Sequence, residues 1–388
     1  MSMEGKEWLN KIHQGNVLEV LRQMPDEFVD CIVTSPPYWG LRDYGEETYT
    51  IWGGDPNCEH QWEVQVAKHD NLRPSKVSEK AIVGSNKELR FRTGEKVKNA
   101  FCVKCGAWYG QLGLEPTLDL YMEHLLMITS ELKRVLKKTG ILFWNHGDSY
   151  GGSGAGTWKN PPEKNNAKEV YRLPYESNPR RKTTKSFPPP KCMALQNYRL
   201  IFRMIDEQGW ILRNVIIWHK VNHMPCSAKD RFTNAYEPVF MLVKNKKYWF
   251  DLEAVKIPLK CPNAKSKNAT NKHKGYGNPI YSGFEWDATQ YSGKNPGDVW
   301  TIPTQPFPEA HFAVFPEKLI TPMIKAGCPP AGIVLDPFMG SGTTAVVAQG
   351  LGRNWIGIEL NPEYIEMAYR RLKNEFGLFM EEGGREND

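Results

Sequence analysis

Apolar and polar positions along this 388-residue chain follow two alternating rhythms. Short apolar runs of strand length recur: "VDCIVTS" at 29–35, "ILFWNHG" at 141–147, "ILRNVIIWHK" at 211–220, "EPVFMLVKN" at 237–245, "GIVLDPF" at 332–338 and "NWIGIEL" at 354–360. Continuous runs of this kind, bounded by turn residues, suit strands buried on both faces. Between them, apolar residues return at helical spacing. "NVLEVLRQMP" (16–25), "LDLYMEHLLMITSELKRVLKKTG" (118–140), "CMALQNYRLIFRMIDEQGW" (192–210), "GTTAVVAQGLG" (342–352) and "PEYIEMAYRRLKNEF" (362–376) predict helices. Gly140 reads as the stop of the second. Strand alternating with helix predicts an α/β fold: a mostly parallel sheet covered on both faces.

Three stretches break the rhythm. Residues 52–110 are polar and carry Cys58, His60, Cys102 and Cys105; residues 150–190 are rich in Gly, Pro and Lys and read as a mobile basic loop; residues 251–298 are polar with scattered aromatics. A chain of this length predicts one large domain with a smaller one or large insertions. No run approaches the roughly 18 to 20 apolar residues of a membrane span. The first residues, "MSMEGKEWLN", hold no apolar signal core, so a cytoplasmic protein with no membrane partner is expected. Eight cysteines are too sparse for a disulfide scaffold. Charge is uneven: residues 151–300 hold 25 Lys and Arg against 12 Asp and Glu, so this middle is +13 and the remainder −7. A basic middle interleaved with aromatics suits a polyanion; a solvated Lys-rich surface accounts for the charge equally well.

"VLDPFMGSGTTAVVA", residues 334–348, ends a strand at Asp336, bends at Gly340 and Gly342 and starts a helix near Thr343. This is the strand–turn–helix of nucleotide-type sites, where glycine lets the backbone approach a ligand. No Gly-Lys-Ser/Thr is present, so a phosphate cradle is not expected. Glu359 closes the next strand, where a carboxylate can take both hydroxyls of a ribose. A phosphate-free adenosyl ligand fits better than ATP, and a purely structural turn is the plainer alternative.

"TSPPYWG", residues 34–40, leaves a buried strand with a hydroxyl, two prolines and two aromatic rings at its tip. The prolines fix φ and remove two N–H donors, so the loop is rigid. Alone it reads as a Pro-Pro loop ending a strand. With the glycine turn it resembles the amino-methylating DNA methyltransferases that use S-adenosylmethionine. The order, target-base motif first and cofactor glycines last, resembles that family's β class. The resemblance covers about residues 10–51, 111–250 and 299–375. It implies a Rossmann-like, seven-stranded, mostly parallel sheet with permuted motif order, built from residues 1–51, 111–250 and 299–388. The insertion 52–110 and a target-recognition region at 251–298 interrupt it.

Carried over position by position, Asp336, Phe338, Gly340, Ser341, Gly342 and Thr343 match the cofactor loop, and Glu359 matches the ribose acid. "HFAVFPEKLI", starting at His311, looks like the family's helix before the glycine turn. Thr34 and Asn16 complete the cofactor side; Asn16 stands where the family usually has Gly-Asp. The family's reaction uses an exocyclic amine whose lone pair is delocalised into the base. Acceptors aimed at its N–H groups, Ser35 Oγ and the Pro36 carbonyl, would pull it towards a tetrahedral shape, with Pro37 holding that geometry. Tyr38 offers a ring for a flipped base, and Trp39 walls the pocket. Asp-Pro-Pro-Tyr is the family's usual motif for adenine N6 and Ser-Pro-Pro-Tyr for cytosine N4, so Ser35 points to cytosine, with adenine as the alternative. Asp148 reads either as a group near the target or as a loop aspartate capping the next turn.

Cys58-x-His60 and Cys102-x-x-Cys105 supply four soft ligands in two close pairs. A closed structural zinc site that folds 52–110 is expected; unrelated surface residues are the alternative. Pro225-Cys226 has the order used by cytosine-C5 enzymes, but the surrounding motifs do not resemble that class. Lys256, Lys260, Lys265, Lys267, Lys272 and Lys274 would contact phosphate, giving affinity without sequence choice, and Arg231 is a further candidate. The reading is a DNA methyltransferase acting on duplex DNA, with a restriction endonuclease as a possible partner. Its rival is a DNA-binding regulator that keeps the fold without turnover.

Overall fold

The computed structural model describes residues 3–66, 98–151, 188–259, 265–266, 286–287, 292–305 and 315–377. His311, most of the basic loop at 150–190, and Lys260, Lys267, Lys272 and Lys274 lie outside the described residues.

Eight strands form the central sheet, in the order β1 (Lys11–Gln14), β14 (Asn354–Glu359), β13 (Ile333–Asp336), β2 (Val29–Thr34), β7 (Leu136–Asn145), β9 (Tyr236–Val243), β8 (Ile211–His219) and β12 (Val299–Thr301). Only the two pairings of β9 are antiparallel. The first and last chain segments therefore meet in mid-sheet: β13 lies directly beside β2. The edge strands β1 and β12 are too short to stand out as apolar runs, and β12 makes one strand more than the expected seven.

Alternation along each strand builds two cores. Ile32, Leu142 and Trp144 face α2 (Val17–Gln23), α3 (Leu118–Val135) and α4 (Gln196–Gln208). Cys31, Val33, Ile141 and Phe143 face the other layer, α5 (Glu317–Gly327), α6 (Thr343–Gly350) and α7 (Pro362–Phe376). A four-residue helix, α1 (Met3–Lys6), precedes β1. Two expected boundaries move. α3 ends at Val135, because Leu136 already pairs with Val29 of β2. Gly140 is thus no helix stop but a residue of β7, where a Cβ would lie 2.8 Å from the Asp30 carbonyl. The helix expected from His311 begins at Glu317, behind Pro316.

Within the 52–110 stretch, β3 (Thr50–Trp52), β4 (Trp62–Val66), β5 (Lys98–Cys102) and β6 (Trp108–Gly110) form a separate antiparallel sheet, ordered β3-β6-β5-β4. Its Trp52 and Trp108 are buried in the core beneath α3. In 251–298, β10 (Lys265–Ser266) and β11 (Trp286–Asp287) pair as a short ribbon. Among the described residues no helix is long and apolar enough to cross a membrane.

Candidate active site

The strands β2, β7, β13 and β14 run parallel, so their C-terminal ends share one sheet edge, the usual ligand side of an open α/β sheet. Residues 302 positions apart meet there: Thr34 Oγ1 donates to Asp336 Oδ1 at 2.7 Å. A cavity of about 650 Å³ opens over this edge and is lined from both motifs, by Ser35, Pro36, Pro37 and Tyr38 and by Phe338, Gly340 and Glu359.

The glycine turn is held by two carboxylates, one buried and one partly buried. Asp336 accepts from Thr34, from Thr344 Oγ1 at 2.6 Å and from the Phe338 amide at 3.1 Å. Burial pushes its carboxyl up to about 6, against the pull of these donors. Glu359 accepts from Gly340 N at 2.8 Å and from the Leu360 and Asn361 amides at 2.9 Å each. Burial raises its carboxyl too, opposed by those amides. Gly342 sits at φ +80°, and a Cβ there would come within 2.8 Å of Ala368 Cβ on α7. The turn therefore needs glycine for helix packing as well as for its bend.

Of the residues expected on the cofactor side, Asn16, Phe338, Gly340 and Glu359 line the cavity. Thr34 and Asp336 do not line it but form a buried hydrogen-bonded pair at the ends of β2 and β13. Ser341, Gly342 and Thr343 do not line it, and the Thr343 hydroxyl instead accepts from Arg371 Nη1 at 2.8 Å. Asn16 caps α2, its Oδ1 accepting from Leu18 N at 2.8 Å while Nδ2 donates to Thr50 Oγ1. The side-chain oxygen of Asn16 thus already serves a structural task.

The Pro-Pro loop is braced from behind. Tyr121 Oη donates to the Pro37 carbonyl at 2.7 Å and lies 3.2 Å from His146 Nε2. Trp144 Nε1 donates to His146 Nδ1 at 3.3 Å. Indole only donates, so Nδ1 is the acceptor and Nε2 carries the proton towards Tyr121. Burial lowers the His146 pKa to about 3, which keeps the ring neutral. Its face stacks on Tyr38, with centroids 5.1 Å apart. Trp39 donates from its amide to Gln196 and from Nε1 to the Glu115 carbonyl, both at 2.9 Å. The Pro36 carbonyl receives no donor from the described residues, and Pro36 lines the cavity.

Tyr38 Oη donates to Glu237 Oε2 at 3.3 Å, and Ser35 Oγ donates to Tyr38 Oη at 3.1 Å. Burial and the nearby Glu237 carboxylate push the phenol well above its usual range. With Ser35's proton committed to Tyr38, its oxygen has only lone pairs left for the cavity. Glu237 also binds Lys220. Glu237, Tyr121 and His146 were not legible as site residues. In "NHGDSY" the sequence draws attention to Asp148 rather than to His146. Asp148 instead accepts from the Ser149, Leu195 and Gln196 amides at 2.9–3.2 Å, the capping alternative. Arg231 lies over Tyr150 at 4.1 Å, beside Phe232, which is 96% exposed.

Away from the cavity, Cys58, His60, Cys102 and Cys105 come together with their ligand atoms within 4.8 Å of one another.

Comparison with known proteins agrees with this geometry. The sequence model of the N6/N4 methyltransferases, described as DNA methylase, matches residues 29–370. The type II methyltransferase M.Cfr9I of Citrobacter freundii is 34% identical over 94% of this chain and 88% of its own length. M.SmaI of Serratia marcescens is 33% identical over 93% of this chain and 90% of its own. Among solved structures, the PvuII DNA methyltransferase (cytosine-N4-specific) superposes with a TM-score of 0.52 at 18% identity, covering 96% of this chain and 86% of that one, which shows a shared fold. With its two motifs joined across one sheet edge and relatives matched over nearly its whole length, the chain belongs to the N6/N4 DNA methylase family.

Proposed function

We propose that this DNA methyltransferase transfers the methyl group of S-adenosylmethionine to the exocyclic N4 of cytosine in duplex DNA. The observation that carries this reading is the state of Ser35. Tyr38 donates to Glu237 and so accepts from Ser35, which leaves the serine oxygen as a pure acceptor towards the cavity. An aspartate at this position could not donate to Tyr38 while ionised.

A flipped cytosine fits with its amine between Ser35 Oγ and the Pro36 carbonyl and its ring against Tyr38. Two acceptors withdraw the N–H groups from the ring plane, freeing the nitrogen lone pair. The cofactor's sulfonium supplies the electrophilic methyl. S-adenosylmethionine held beside Glu359 and Phe338 would present that methyl to the freed lone pair, the carbon–sulfur bonding pair leaving with sulfur. The alkylated amine then loses one proton to Ser35 Oγ, which passes its own through Tyr38 to Glu237. Glu359 and Phe338 are read as the cofactor's ribose and base contacts, and Asp336 as the brace that fixes their turn to Thr34. Residues 251–298 and the exposed Arg231 are read as the DNA-facing side. The relatives named type II methyltransferases favour a setting in which methylation protects DNA from a restriction endonuclease.

The test incubates the protein with labelled cofactor and mixed-sequence duplex DNA, then digests to nucleosides. N4-methyldeoxycytidine is expected. N6-methyladenine would overturn the base assignment, and retained cofactor binding without incorporation would favour a non-catalytic regulator.

A further inference from the structure

Two pairs of soft ligands, 44 residues apart in sequence, converge at the base of the small sheet. Cys58 and His60 come from the link between β3 and β4. Cys102 ends β5, and Cys105 lies in the tight turn to β6, closed by Cys102 N to Ala107 O and Gly106 N to Cys102 O, both 2.8 Å. Cys58 Sγ and Cys102 Sγ are 3.8 Å apart, and Cys105 Sγ and His60 Nδ1 are 3.4 Å apart. A tetrahedral zinc ion with Zn–S of about 2.3 Å and Zn–N of about 2.0–2.1 Å requires edges of about 3.8 Å and 3.5 Å respectively. Two opposite edges thus have the required length, and all four ligand atoms lie within 4.8 Å of one another. Three sulfurs and one imidazole nitrogen match the donor set of a closed structural zinc site.

The cluster continues inwards. Two residues after Cys105, Ala107 is fully buried, and Trp108 follows in the main core. Trp108 and Trp52 sandwich His124 of α3, with centroids 5.5 and 5.2 Å away and planes tilted by 22° and 29°. His124 Nδ1 meets Glu115 Oε1 at 2.9 Å, and Glu115 Oε2 accepts from Gly113 N at 2.8 Å. Gly113 in turn accepts from Gly40 N at 2.8 Å, and the Glu115 carbonyl accepts from Trp39 Nε1. Every link but the exposed Gly40 is buried or partly buried, and the path ends on the loop that carries Ser35 to Tyr38.

We propose that Cys58, His60, Cys102 and Cys105 bind one zinc ion, and that this site holds the target-base loop in register through the Trp52–His124–Trp108 stack and Glu115. The role of the loop rests on the proposed function; the metal site does not. His124 and Glu115 are positioning residues, since neither lines the cavity.

The test uses the full chain as purified, with elemental analysis, cobalt substitution and amide hydrogen exchange before and after removal of metal by a chelator. We expect about one zinc per chain, lost in Cys102→Ser, and the visible absorption of a tetrahedral sulfur–nitrogen site with cobalt. On metal removal, exchange over residues 38–42 and at Gly113 should quicken by about tenfold or more, while that of Gly340–Thr344 holds. His124→Gln, which leaves the ligands intact, should keep zinc and cofactor affinity yet quicken exchange at Trp39 and Gly40. Purified protein without zinc that also takes up none would overturn the site. Unchanged exchange at Trp39 and Gly40, in both stripped protein and His124→Gln, would overturn its role in the loop. Zinc and the exchange response present, with no methyl transfer to DNA, would instead count against the functional reading.

Discussion

The two sides of the cavity are built differently. The glycine turn is held mostly by its own neighbourhood: apart from the distant Thr34, Asp336 accepts from residues two and eight positions away, and Glu359 from residues one, two and nineteen positions away. The Pro-Pro loop is held by partners 76 to 199 positions away, namely Glu115, Tyr121, Gln196 and Glu237. A turn that carries its own constraints can bind a cofactor with little help. A loop stiffened by proline but oriented from outside depends on the rest of the fold for its aim. Substitutions on the two sides should therefore separate binding from transfer.

The largest separation is expected from Ser35→Ala set against Glu359→Gln. Ser35→Ala removes an acceptor that matters only as the amine changes shape, so methyl transfer should fall by about 100-fold while cofactor affinity holds. Glu359→Gln replaces a charged acceptor of three backbone amides, and cofactor affinity should weaken by about tenfold or more. Single-turnover kinetics and equilibrium cofactor binding on both variants check this. Equal losses in rate and affinity within either variant would break the contrast.

Tyr121→Phe sharpens it with a smaller effect. The change leaves the Pro37 carbonyl and His146 Nε2–H without their shared partner, an unsatisfied pair costing about 1–3 kcal/mol. Transfer should slow by about tenfold with cofactor affinity unchanged, as read by denaturant unfolding, rate and binding together. A matching loss of cofactor affinity would mean that the brace serves the whole cavity rather than its target-base side.

This asymmetry also explains what could be read from sequence. Strand–turn–helix at 333–350 and the acid at Glu359 are local patterns, so the turn and its carboxylate were legible. Ser35 to Tyr38 were legible as a motif, but their supports were not. Tyr121 and His124 look like ordinary members of an apolar helix face, and Glu115 like a loop acid. Only the tertiary fold makes them neighbours of the Pro-Pro loop. The end of α3 was misplaced for the same reason: local propensity carries Leu136–Gly140 on as helix, and pairing with β2 overrides it. Asp148 shows the opposite error, a conspicuous polar residue whose oxygens serve backbone amides.

The smallest effects expected are in pH dependence, and there the two sides should move in opposite directions. His146 braces the Pro-Pro loop as a neutral ring, its pKa lowered from 6.5 to about 3 by burial. A second ring proton would point an N–H at the Trp144 N–H. The stability it provides is complete above pH 6.5 and is lost as pH falls from there towards 3. Asp336 holds the glycine turn with its carboxyl raised from 3.8 to about 6, again by burial. Its contribution runs the other way, complete below pH 3.8 and lost as pH rises through 6. Between pH 7 and pH 5, acidification should remove about 2 kcal/mol through His146 and restore about 1 kcal/mol through Asp336. In urea unfolding at the two pH values, the advantage of wild type over His146→Gln should shrink by about 2 kcal/mol on acidification. The advantage over Asp336→Asn should grow by about 1 kcal/mol. Both differences moving in the same direction, or neither moving, would mean that these two groups do not carry opposite ionic demands across the cavity.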